Sequence, residues 1–117
     1  MKKNLLMTGI CMLMLVAVSC KKSNLTKDQW IITKATDLED GSDITSDYTG
    51  EIWEFDKDGT YSENGVLKGT WVFSDKKEDL VITKTNGNVD SYLIKELKKK
   101  TMILEELGDE ELELSKY

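Results

Sequence analysis

The chain contains no histidine, no proline and no arginine, so all 16 of its basic residues are lysine. Without histidine it lacks the commonest general base and the commonest zinc ligand. Without arginine there is no planar guanidinium to grip phosphate or carboxylate at two points. Lysines face 22 acidic residues and the net charge is −6, the wrong sign for a partner whose phosphates need a cationic face, so nucleic acid is excluded. Cysteine occurs only twice, at Cys11 and Cys20, too few for a disulfide framework. Long hydrophobic runs are nearly absent as well. The single one, Leu5 to Val18, spans 14 residues against the roughly 20 needed to cross a bilayer. The lack of proline, by contrast, suits strands that must donate hydrogen bonds on both sides.

What is present first is an address. Lys2 and Lys3 precede the apolar run and Ser19 follows it, the pattern of a secretory leader that is removed. Val16-Ala17-Val18-Ser19-Cys20 closely resembles a bacterial lipobox, with Ala17 where that motif usually has leucine. The resemblance implies cleavage before Cys20 and acylation of its sulfur. The plainer reading makes Cys20 a thiol or a disulfide partner of Cys11, but Cys11 leaves with the leader and a lone thiol is a liability in an oxidising compartment. Several acyl chains, each contributing about 0.8 kcal/mol per buried CH₂, hold a protein on a membrane where one does not. By the same resemblance, Lys21 rather than aspartate after the cysteine implies the outer membrane, and Lys21-Lys22-Ser23-Asn24 lacks the acidic cluster of surface export, which implies the periplasmic face. Three segments follow: a leader (1–19), a lipidated tether (20–27) and one domain (28–117). From Cys20 onward there are 14 lysines and 22 acidic residues, a charge of −8.

The domain reads as strands. Tyr48 to Phe73 alternates at period two, with Trp53 and Phe55 on one face of their strand and Trp71 and Phe73 on one face of theirs. Asp56-Lys57-Asp58-Gly59 and Asn64-Gly65 carry turn chemistry between them. Trp30 to Thr36 is a β-branched first strand with Trp30 and Ile32 together. After a charged turn come Leu80 to Thr85, Val89 to Leu97, Thr101 to Leu107 and Glu111 to Tyr117, punctuated by Asn86-Gly87, Lys98-Lys99-Lys100 and Gly108-Asp109. Gly59, Gly65 and Gly87 are placed for positive φ. Gly69, between Leu67 and Trp71 on an inward face, marks packing, a bulge or a close backbone approach. An amphipathic helix over 94–107 competes with two strands there, but the lysine triplet interrupts its apolar period. Short strands recurring about every ten residues predict an all-β fold, a small antiparallel up-and-down barrel of about eight strands.

The series W30…Y48, W-E-F-D-K-D-G-T-Y, L-K-G-T-W-V-F, L-V-I-T, Y-L-I-K-E-L and T-M-I-L resembles the small lipocalin-like lipoproteins of Gram-negative bacteria over most of residues 28–117. The resemblance implies a lipocalin-like barrel that binds a small apolar or amphipathic molecule.

Chemistry finds little purchase. Asp56-Lys57-Asp58-Gly59 fails as a calcium loop, because the sixth and twelfth positions fall on Tyr61 and Leu67 rather than glycine and glutamate. The acidic stretch Asp37 to Thr49 reads as a solvated face before it reads as a cation site, and no spacing selects a catalytic carboxylate pair. No enzyme, cofactor or metal is expected. Two functions remain. One is a binding module whose candidate lining is Trp30, Trp53, Phe55, Trp71, Phe73 and Tyr92, with any ligand held shallowly at an open end near the Asp37 to Thr49 loop. The other is an interaction, inhibitor or accessory module for a cell-envelope protein, its barrel filled by those aromatics with Tyr61, Leu80, Ile82, Ile94, Leu112 and Leu114. In both, the membrane is a partner through lipid on Cys20.

Overall fold

The sequence alternation closes on itself. In a computed structural model that describes residues 21–117, the strands are β1 (Trp30–Asp37), β2 (Ile52–Phe55), β3 (Thr60–Glu63), β4 (Val66–Phe73), β5 (Asp79–Lys84), β6 (Val89–Leu97), β7 (Thr101–Glu106) and β8 (Glu110–Lys116). Each pairs antiparallel with the next, and β8 returns to β1 to complete a barrel. The expected eight-stranded up-and-down architecture is therefore the observed one. The expected leader and Cys20 lie outside the described residues. Between Ile94 and Leu107 the chain makes β6, a lysine turn and β7 rather than a helix, because Ile94, Met102 and Leu104 reach the interior only at period two.

Up-and-down order gives the barrel two distinct ends. The turns 56–59, 74–78 and 98–100 gather at the end where β1 begins; residues 38–51 and the turns 64–65, 85–88 and 107–109 gather at the other. β2 pairs with β1 only at Trp30 and Ile31, at the start of β1. The long connection takes its place higher up: Thr36 bridges to Asp43, the Ile44 amide donates to the Ala35 carbonyl (2.9 Å) and the Ala35 amide donates to Thr45 Oγ1 (3.0 Å). A 3₁₀ turn, Thr45–Tyr48, then lays Tyr48 against the core, with Ile44 packed beside it. The Tyr48 hydroxyl donates to Glu110.

The structure corrects two expectations, the first at the near end. Residues 21–26, read from the sequence as part of a polar tether, are helical, and Leu25 is fully buried. The folded unit thus begins before residue 28. Leu25 is the only large apolar side chain in that stretch, and burying a leucine is worth about 1.5–3 kcal/mol, enough to draw a short helix across the opening. The Trp30 indole donates to the Leu25 carbonyl (3.0 Å), and Lys21 Nζ to the Lys77 carbonyl (2.8 Å). The second correction is Leu67, expected inward but 58% exposed. Tyr61 lies opposite Gly69 and Ser62 opposite Leu67, so Lys68 is an extra residue and the alternation reverses across it.

Turn chemistry is as the sequence dictates. Asn64 (φ 51°) and Gly65 (φ 78°) form a two-residue hairpin between Glu63 and Val66, the type that requires positive φ at both positions. Asn86-Gly87 closes a longer loop, with positive φ only at Gly87.

Candidate functional site

The aromatic residues assigned to a ligand lining pack mainly on one another, and two of them, Trp71 and Phe73, also face open space at the near end. Trp53 meets Tyr61 edge-on at 5.7 Å and Tyr92 at 5.9 Å, Phe55 meets Tyr61 at 5.1 Å and Trp71 at 6.1 Å, and Trp71 meets Phe73 at 5.3 Å. The edge-to-face contacts among these, Trp53–Tyr61, Phe55–Trp71 and Trp71–Phe73, add about 0.5–1.5 kcal/mol each beyond the area buried. Trp30, Trp53, Phe55, Trp71 and Tyr92 are all buried, and Phe73, at the near end of β4, is partly covered. Ile94, expected in the core, is also only partly covered. Met102, Leu104 and Ala35, inward positions the sequence analysis did not single out, complete the filling.

Polar atoms on these rings are satisfied. Trp53 Nε1 donates to Glu51 (2.9 Å), Trp71 Nε1 to the Asp56 carbonyl (2.8 Å), and the Tyr61 hydroxyl to Glu63 (2.6 Å). Burial, then the hydrogen bond to Glu63, pushes the Tyr61 phenol well above its ordinary value, and burial does the same to Tyr92. Both phenols are neutral at physiological pH.

Open space lies instead at the near end. A hollow of about 330 Å³ is bounded by Lys22 of the helix, Lys57 and Gly59 of the β2–β3 turn, Lys77 of the β4–β5 turn, and Trp71 and Phe73 of β4. Gly59 (φ 93°) lets the turn fold back, its carbonyl accepting from the Trp71 amide at 2.9 Å. A smaller hollow of about 230 Å³, lined by Lys22, Ser23, Thr26 and Lys57, shares two of these lysines. The opening expected near the Asp37 to Thr49 loop is thus at the opposite end, because that loop spends Ile44 and Tyr48 on closing its own mouth. The hollow offers an apolar wall ringed by ammonium groups. Asp58 also lines it, its carboxyl held below the ordinary value by hydrogen bonds from the Thr60 side chain and amide.

A solved structure gives a point of reference for this geometry. A crystal structure of a lipocalin-like protein from Bacteroides uniformis superposes with a TM-score of 0.63, covering 80% of this chain and 99% of that one at 15% sequence identity. The fold is lipocalin-like. At that identity the similarity fixes the lipocalin-like barrel alone. No sequence-family model matches the chain, and neither does any curated protein.

Of the two sets of residues the sequence analysis marked, the aromatics form the scaffold of this lipocalin-like domain, while Cys20 lies just before its first described residue. The lysines that frame the hollow were missed. Nothing marks them locally, since Lys22, Lys57 and Lys77 are brought together only by barrel closure and by the helix that Leu25 anchors.

Proposed function

We propose that this chain is a non-enzymatic binding protein of the cell envelope, anchored through lipid on Cys20 at the periplasmic face of the outer membrane, whose ligand is a small amphipathic anion. The observation that carries the reading is the hollow at the near end, where the apolar wall of Trp71 and Phe73 is surrounded by Lys22, Lys57 and Lys77. Its volume lies at the small end of the roughly 300–1,000 Å³ usual for ligand sites. A carboxylate or phosphate suits the lysines and a short aliphatic chain suits the rings. The occupant lies against the barrel mouth, because the interior is taken up by the aromatic cluster.

Titration calorimetry with dodecanoate against dodecanol tests this. Saturable binding of the acid, weakened by Lys57→Gln and Lys77→Gln and much weaker for the alcohol, supports the reading. A filled barrel also favours a second reading, an interaction or inhibitor module for an envelope protein. Absence of any saturable amphiphile binding, with recovery of one stoichiometric envelope protein on the native lipidated form, would put that reading first.

A further inference from the structure

Charge in this barrel is sorted by end. At the near end, segments 21–27 and 98–100 contain Lys21, Lys22, Lys27, Lys98, Lys99 and Lys100 and no carboxylate. The turns there add Lys57, Lys76 and Lys77, interspersed with carboxylates such as Asp58 and Asp75. Among the described residues, Lys22, Lys57, Lys76, Lys77, Lys99 and Lys100 make no ion pair. The opposite end is acidic, with Glu39, Asp40, Asp43, Asp47 and Glu51 on the long connection alone. Of the lysines elsewhere, Lys84 bridges Glu63 (3.8 Å) and Asp90 (3.4 Å) and Lys95 bridges Glu105 (3.6 Å) and Glu111 (3.5 Å), which leaves Lys34 and Lys68 as scattered single charges.

Separation lets the two ends act independently. A strand the length of β4, 8 residues, spans about 26 Å at roughly 3.3 Å per residue, more than two Debye lengths at 0.1 M salt. The overall negative charge is therefore screened from whatever meets the near end. The chain also leaves the described fold from this end, at residue 21, toward Cys20 and the apolar run. Apolar and aromatic groups share the rim: Val72 and Tyr117 are exposed and Phe73 partly so, the mixture of rings and lysines that settles at a lipid interface.

We propose that the lysine-rich end is an electrostatic docking face for anionic lipid headgroups, which stands the barrel on the membrane with its acidic end pointing away. This deepens the envelope-anchored reading and rests on it for the membrane's presence. It makes the anchor and the face two separate attachments.

Every strand, the helix and the whole described core lie within residues 21–117, so the face can be tested without acylation. The chain from residue 20, carrying Cys20→Ser, is sedimented with phosphatidylcholine vesicles with and without 30 mol% phosphatidylglycerol. The expected result is binding to the anionic vesicles only, reduced at least tenfold between 0.05 and 0.5 M salt. The Lys98→Gln, Lys99→Gln, Lys100→Gln triple variant should bind at least tenfold more weakly, given about fivefold per surface lysine. Lys27→Gln with Lys76→Gln is a second variant on other segments, and Glu39→Gln with Asp47→Asn at the far end should change nothing. Equal binding to both vesicles, binding to neither, or triple and double variants that bind like the parent would overturn the proposal. Tighter binding to polyglutamate than to anionic vesicles would assign the face to an acidic protein instead. Mass analysis of Cys20 in the native protein tests the anchor separately: an unmodified cysteine with lysine-dependent vesicle binding removes the anchor and leaves the face standing.

Discussion

A β-carbon placed on Gly69 would stand 2.0 Å from the carbonyl oxygen of Thr83 and 2.9 Å from the Lys84 Cα. Both neighbours are backbone in the paired strand β5, so neither can swing aside. Gly69→Ala must push β4 and β5 apart next to the bulge at Lys68. The expected loss is about 1–3 kcal/mol, the usual cost of overpacking, read as a lowered urea midpoint. An unchanged midpoint would mean that β4 and β5 do not approach in this register.

Leu25 tests where the domain begins. Its side chain is fully buried, so Leu25→Ala should cost about 2–5 kcal/mol, as truncation of a core leucine does. Were residues 21–27 merely a tether, the same change would leave stability within about 0.5 kcal/mol of the parent, as substitutions away from packed features do.

Strand order, turn positions and most of the core were legible before any coordinates, because period two and the turn residues are local signals. Trp53 with Phe55, Trp71 with Phe73, and Leu112 with Leu114 all fall as the alternation requires. Two things were not legible. The helix over 21–26 depends on one leucine meeting the barrel mouth, a contact across the fold that a six-residue polar stretch does not announce. Leu67 was assigned inward because the extra residue at Lys68 leaves no trace in the pattern of apolar residues. The hollow was placed at the wrong end for a related reason: a long irregular connection looks open in sequence, whereas Ile44 and Tyr48 fold it shut.

Glu106 sets the pH response of the far end. Partial burial, then the charges of Asp109, Asp90 and Glu110, raises its carboxyl above the ordinary 4.5. A raised folded value means stability that is fully present below about 4.5 and lost as pH rises through the raised value. Asp40, Asp43 and Asp58 act oppositely. Hydrogen bonds from Ser42, Thr45 and Thr60 hold them below 3.8, so their stability is present above that value and lost as pH falls through the lowered ones. Glu106→Gln should therefore raise the urea midpoint at pH 7 more than at pH 4. A gain equal at both pH values would place the group in an ordinary environment.

The central claim is that ligand meets the barrel at its lysine-ringed mouth and leaves the interior closed. The three indole N–H groups report on it separately, because Trp30 donates to Leu25, Trp53 to Glu51 and Trp71 to Asp56. In a ¹H–¹⁵N correlation spectrum of the unacylated protein titrated with dodecanoate, the Trp71 indole resonance should move saturably while the Trp53 resonance stays in place. Movement of Trp53 with Trp71 unmoved, or no saturable change in any indole, would contradict the account.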